Sequence, residues 1–273
     1  MFNNITHPLI MGILNVTPDS FSDGGKYTGI DSALAHAQRM ISAGADIIDI
    51  GGESTRPGAE PVLTEEQILR VIPVIKAIRK DLSATLPISI DTTLSRVAEA
   101  ALDAGATIIN DISAGEQDAE ILSLAAKRKV PIILMHIKGQ PENMQNAPFY
   151  QDVVREVLSA LQERVDAALA AGVAKQQIAI DPGIGFGKRR QDNLELLAHL
   201  DKFVATGYPV LLGTSRKRFM GSLCAVRDPA ELVCATAVTT ALGVQQGVQM
   251  FRVHDVKENK QAADVAWAIK QAR

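Results

Sequence analysis

The chain has 273 residues, 47% of them hydrophobic and 22% charged, with 28 Lys plus Arg against 31 Asp plus Glu and a formal net charge of -3. That balance leaves no basic footprint for nucleic acid or an anionic membrane face, and no apolar run approaches the roughly 18 residues of a membrane span. Residues 1–10 carry neither the basic segment nor the long apolar stretch of a signal peptide, so a soluble cytoplasmic protein is expected.

Apolar runs rich in Ile, Val and Leu fall at 9–14, 46–50, 87–90, 107–109, 130–135, 178–180, 209–212 and 248–253, and each ends in a polar or glycine cluster. Helical segments are predicted between and after them at 32–42, 65–80, 95–104, 118–127, 150–171, 193–205, 229–246 and 256–271. Three of these close on an Ala-Gly pair, Ala43-Gly44, Ala104-Gly105 and Ala171-Gly172, where glycine suits a left-handed helix cap. Strand-helix units repeated eight times without a linker predict an α/β fold, a single-domain (β/α)8 TIM barrel over 1–273, in preference to an open doubly wound sheet. Cys224 and Cys234 are too few for a disulfide framework. On one helix they would lie about 15 Å apart, beyond bridging distance, and buried reduced thiols are expected.

In such a barrel the first residues after each strand share one mouth. They are Asn15 and the loop to Gly25, the loop Gly51 to Gly58, Asp91, Asn110, His136, Asp181 with the glycine-rich run to Gly187, Gly213 to Arg218, and Arg252 with His254. Neither of the first two loops is a Walker A or a GxGxxG motif, which removes the commonest nucleotide readings. Lys217, Arg252 and His254 supply positive charge at the mouth against Glu53, Asp91 and Asp181, a mixture suited to a phosphate or diphosphate with Mg²⁺. Asp91, Asn110 and Asp181 beside Met135 suit a flat heterocycle rich in N–H groups, although Asp181 also opens an Asp-Pro-Gly turn. His136 reads best as a core histidine. Zinc is disfavoured because no Cys or His pair stands at ligand spacing.

Several phrases resemble signatures of the dihydropteroate synthase family, in that family's order and over essentially the whole chain. They are the run from Asn15 to Gly25 (Asn-Val-Thr-Pro-Asp-Ser-Phe-Ser-Asp-Gly-Gly), Asp49 to Gly58, Met135-His136-Ile137-Lys138-Gly139, Asp181 to Gly187, and Ser215-Arg216-Lys217. The resemblance implies an enzyme that joins a dihydropterin methyl diphosphate to 4-aminobenzoate. Carried over by position, Asp91, Asn110, Asp181, Lys217 and, as a wall, Met135 would hold the pterin. Asn15 would ligate Mg²⁺, and Thr55, Arg252 and His254 would take the diphosphate. Phe21, Arg56, Pro57, Phe186 and Lys217 would frame the aminobenzoate, and Asp23 would cover the reacting carbon. Arg218 stands where many relatives carry Ser, and its charge would suit the aminobenzoate carboxylate. A homodimer is implied by the family alone.

The chemistry fits the residues. When diphosphate leaves a methylene attached to an electron-rich pterin, positive charge spreads into the ring, so an SN1-like path needs no protein nucleophile and no Ser-His-Asp or Cys-His pair. On this reading Arg252 and His254, at alternate positions of one strand, serve the diphosphate, and Arg252→Ala spares a pterin that lacks phosphate. Two other readings stay open at this point: a pterin barrel that transfers a methyl group from methyltetrahydrofolate, and an inactive pterin-binding paralogue.

Overall fold

The computed structural model describes residues 2, 5–16, 26–54 and 58–272. Parallel strands β1 (Leu9–Asn15), β2 (Ile47–Gly51), β3 (Ile88–Asp91), β4 (Ile108–Asp111), β5 (Ile132–Met135), β6 (Ile178–Asp181), β7 (Leu211–Leu212) and β8 (Met250–Val253) form one sheet. Their order is β6-β5-β4-β3-β2-β1-β8-β7. A parallel bridge between Ile180 and Val210 joins β6 to β7 and closes the sheet into the expected (β/α)8 barrel.

Alternation along the strands builds two distinct interiors. Ile48, Ile50, Ile88, Ile90, Ile109, Ile132 and Leu134 point outward and pack under the helices. The opposite parity fills the barrel: Met11, Ile47, Ile108, Ile133, Ala179, Leu211 and Met250 form an apolar layer, against which Phe2 also packs. Two positions further along, the same inward face becomes polar, with Asp49, Ser89, Asn110, Asp181 and Arg252. A fully buried Ile contributes roughly 1.5–3 kcal/mol, so the apolar layer supplies the stability that lets the layer above it be charged.

The helices are α1 (Lys26–Ser42), α2 (Thr64–Asp81), α3 (Ser95–Ala104), α4 (Glu120–Arg128), α5 (Val153–Ala170), α6 (Arg190–Ala198), α7 (Leu200–Val204), α8 (Arg218–Cys224), α9 (Val233–Gln246) and α10 (Val256–Gln271). Gly44, Gly105 and Gly172 all have positive φ, as the Ala-Gly phrases predicted. The structure differs from the sequence expectation at three places. The segment at 193–205 is broken at His199, whose φ of -126° and ψ of 33° interrupt the helix between α6 and α7. The segment at 229–246 opens as a 3₁₀ turn, Pro229–Glu231, capped by the Asp228 carboxylate before α9 begins. The short helix α8 has no counterpart among the predicted elements. It separates the cysteines onto two helices, and both are free and exposed rather than buried. Cys224 closes α8 beyond its buried Met220 and Gly221, and Cys234 lies on the outward face of α9 in line with exposed Val238. Among the described residues no helix is long and apolar enough to cross a membrane.

Candidate active site

The polar layer lies at the carboxyl ends of the strands. Strand register places Asn15 beside Gly51, Gly51 beside Asp91, and Asp91 beside Asn110, while Met135 pairs with Asp181 on the other side of the mouth. Gly51 keeps this side open: a Cβ there would stand 3.5 Å from Asp91 Cβ and 3.7 Å from Asn15 Oδ1.

Arg252 ties the layer together. Its Nε donates to Asp49 Oδ2 at 2.6 Å and its Nη2 to Asp91 Oδ2 at 2.6 Å, and Asn110 Nδ2 approaches Asp49 Oδ2 at 3.4 Å. Burial opposes the charge on Arg252, but Asp49 and Asp91 outweigh it and raise its pKa. Burial pushes Asp91 up to about 7 against the pull of Arg252. Asp49 is the residue that sequence reasoning missed. A carboxylate in the middle of a strand, on the face shared by Ile47 and Gly51, was the available signal. Asp49 Oδ1, Asp91 Oδ1 and Ser89 Oγ are buried without a hydrogen-bond partner, and such orphan atoms are characteristic of a site that expects a ligand or ordered water.

Asp181 forms the turn that the Asp-Pro-Gly sequence predicted, and its second carboxylate oxygen lies toward the chain after β7. Its Oδ1 accepts the Gly183 N–H at 2.7 Å and so caps the turn, while Oδ2 lies 3.8 Å from the position a Cβ would take on Gly213, just after the neighbouring β7. Burial lifts Asp181 to about 6, although the Gly183 N–H and Lys217 favour its charged form. Lys217 Nζ stands 4.0 Å from the centroid of the Phe186 ring, and Phe186 packs with Met135, Met144 and Ile112 as one apolar wall. Burial, helped by Arg252, pulls Lys217 down to about 8.

His136 is a satisfied interior histidine, and its partner, Lys188, was another unforeseen residue. Lys188 Nζ is 2.9 Å from His136 Nδ1, donates to the Phe186 carbonyl at 2.9 Å, and reaches the His136 carbonyl at 3.3 Å. Three acceptors match the three protons of an ammonium group. This staple draws the ends of β5 and β6 into backbone contact, leaving no room for side chains between them. A Cβ on Gly183, where φ is +67°, would stand 1.9 Å from the His136 oxygen. Gly183→Ala is therefore expected to cost about 1–3 kcal/mol or more from overpacking, read as a lower urea midpoint; an unchanged midpoint would contradict this packing.

Glu53, expected to oppose the basic residues at the mouth, serves its own loop by accepting from Val62 N at 2.8 Å and Gln67 Nε2 at 3.1 Å. Arg218 is exposed at the first turn of α8. His254 follows β8 and is held by Ser215, whose Oγ is 2.9 Å from its Nδ1. Phe21, Asp23, Thr55, Arg56 and Pro57 lie outside the described residues. Among the described residues no cluster of three or more His, Cys, Asp or Glu is arranged to hold a metal. Asn15, the residue expected to ligate Mg²⁺, ends β1 beside Gly51.

Comparison with known proteins agrees with this geometry. Residues 11–254 match the family model described as pterin binding enzyme. A dihydropteroate synthase of Bacillus subtilis is 52% identical over 250 residues, covering 92% of this chain and 84% of the relative. A crystal structure of the Xanthomonas albilineans dihydropteroate synthase with 4-aminobenzoic acid superposes with a TM-score of 0.91 at 46% identity, covering 98% of this chain and 95% of that one. The same enzyme in complex with 7,8-dihydropteroate gives a TM-score of 0.87 at 42% identity, covering 99% and 96%.

Proposed function

This chain belongs to the dihydropteroate synthase family of pterin-binding enzymes, and we propose that its buried polar layer is the device that performs the family's reaction. The activity is that of a transferase: (7,8-dihydropterin-6-yl)methyl diphosphate and 4-aminobenzoate give 7,8-dihydropteroate and diphosphate. The methylene C–O bond to diphosphate breaks, the aminobenzoate nitrogen forms the new C–N bond, and that nitrogen loses a proton.

The observation that carries the assignment of roles is the convergence of Asp91, Asn110, Asp181 and Arg252 at the open end of the barrel. Asp181 Oδ2, Asp91 and Asn110 take the N–H edges of the pterin, with Met135 as the wall beneath. Their carboxylates favour positive charge as it spreads into the ring, so the path is SN1-like and electrostatic. Arg252 has Nη1 outside both of its ion pairs and offers it, with His254, to the leaving diphosphate. Lys217 and Phe186 frame the aminobenzoate, with Arg218 near its carboxylate. The family resemblance assigns Phe21, Arg56 and Pro57 to the aminobenzoate, Thr55 to the diphosphate and Asp23 to the reacting carbon, all outside the described residues. Mg²⁺ would be held by Asn15 and would supply charge neutralisation to the diphosphate oxygens.

A lysine that must be protonated to attract a carboxylate loses that ability as pH rises through its pKa. For Lys217 that point is about 8, so 4-aminobenzoate affinity is expected to fall on the alkaline side of it. Lys217→Arg, whose guanidinium stays charged, should move this limb upward by more than about one pH unit. An unmoved limb in the pH profile would remove Lys217 from the role.

A second copy of the chain is the partner we propose for the outer face of α9 and α10. Val238 and Leu242 on α9 and Val265 and Ile269 on α10 are each more than half exposed. These two helices pack closely on each other, and exposed apolar residues grouped on neighbouring helices commonly mark an interface. Val238→Asp should shift sedimentation from dimer to monomer; a native chain that sediments as a monomer would contradict the pairing.

A further inference from the structure

The loop after β7 is laced to the end of β8 by two adjacent pairs. Ser215 meets His254, and Arg216 forms a bidentate pair with Asp255 through Nε at 3.0 Å and Nη2 at 2.6 Å. Arg216 holds a left-handed backbone, φ 57°, which a non-glycine residue adopts only when its surroundings impose it. Its N–H also bonds Thr236 Oγ1 at 3.2 Å. The loop therefore has little freedom to turn Ser215 elsewhere.

Hydrogen-bond accounting at Ser215 then specifies a proton. Ser215 is buried, and its Oγ accepts the backbone N–H of His254 at 3.0 Å. The same Oγ lies 2.9 Å from His254 Nδ1. A hydroxyl has a single proton to give, a buried one needs an acceptor, and among the described residues the acceptor within reach is Nδ1. If Nδ1 carried the proton instead, two donors would face Ser215 Oγ and the buried hydroxyl would have nowhere to point. The neutral ring is thus fixed as the Nε2–H tautomer.

We propose that Ser215 is the positioning residue for His254: it holds the imidazole in the Nε2–H form, so that an N–H rather than a lone pair meets an anion at the mouth. This rests on the assignment of His254 to the diphosphate, and it adds the reason that a histidine can serve there without first being protonated. A lone pair at Nε2 would repel a phosphate oxygen, whereas an N–H donates to it.

The test has two arms that fail separately. In the ligand-free protein at about pH 8, above the ordinary histidine pKa, ¹⁵N NMR of His254 should show a protonated Nε2 and an unprotonated, hydrogen-bonded Nδ1. A protonated Nδ1, or a fast mixture of tautomers, overturns the inference without needing any variant. Ser215→Ala should produce that mixture and weaken inorganic pyrophosphate with Mg²⁺ by at least about tenfold, the scale of one hydrogen bond to a charged group. Ser215→Thr, which keeps the hydroxyl, should restore both readouts. If the tautomer is as stated but His254→Ala leaves pyrophosphate affinity unchanged, the assignment of His254 to the diphosphate fails instead.

Discussion

Arg252→Ala is expected to cost about 3–5 kcal/mol of folding stability, the scale of loss when one partner of a buried ion pair is removed, and to weaken pterin and diphosphate together. Arg252 is the common counter-charge of Asp49 and Asp91, two carboxylates that are essentially inaccessible to water. Without it both carboxylates lose that counter-charge. Burial already raises Asp91 to about 7 against the pull of Arg252, and without Arg252 its folded-state pKa lies well above that of the unfolded chain, so the folded state binds more protons. The stability deficit is consequently largest at neutral and alkaline pH and shrinks as pH falls toward the ordinary carboxylate range. Urea unfolding at about pH 8 and about pH 5 reads this directly, and a deficit below about 1 kcal/mol at the higher pH, as for a surface pair, would show that the triad is not a unit. The reading of Arg252 from sequence, as a residue serving the diphosphate alone, is thereby altered. Because it also orients Asp91, a phosphate-free pterin should lose affinity too.

Asp181→Asn is expected to lower pterin affinity at least tenfold while leaving the fold intact. Asparagine keeps the Oδ1 that accepts the Gly183 N–H, so the turn after β6 survives. It replaces Oδ2 with an NH₂ that faces the N–H groups of the pterin. A lost charge-assisted hydrogen bond is worth roughly 1.5–3 kcal/mol, more if a donor is left unpaired. Stability should be unchanged or higher at neutral pH, because burial already makes the Asp181 charge unfavourable. Calorimetry with a phosphate-free pterin, beside urea unfolding of the same variant, separates the two effects. Unaltered affinity would remove Asp181 from pterin recognition.

Much of this arrangement was legible in the chain because β/α barrels convert sequence position into depth. The end of an apolar run is the mouth, so Asp91, Asn110, Asp181 and Arg252 could be grouped before any coordinates were considered. Partnership was the hidden part. The Arg252–Asp49 bond spans 203 positions, and although a carboxylate in the middle of a strand marks Asp49 as unusual, nothing local names Arg252 as its partner. Lys188 was hidden for a similar reason: its acceptors are two carbonyls and a ring nitrogen, which leave no trace in residue type. The break at His199 and the helix α8 are tertiary outcomes, imposed where short segments pass between β6, β7 and α9. Ser215 was visible as part of a motif, but its bearing on a proton required two distances to one oxygen.

The role proposed for this polar layer is the condensation of the pterin diphosphate with 4-aminobenzoate. The most direct measurement incubates the purified chain with both substrates and Mg²⁺ and quantifies 7,8-dihydropteroate and diphosphate in the same samples. Equal amounts of the two products are expected, formed only when 4-aminobenzoate is present and suppressed in Asp181→Asn. Diphosphate release without dihydropteroate, or undiminished product formation by Asp181→Asn, would contradict that role.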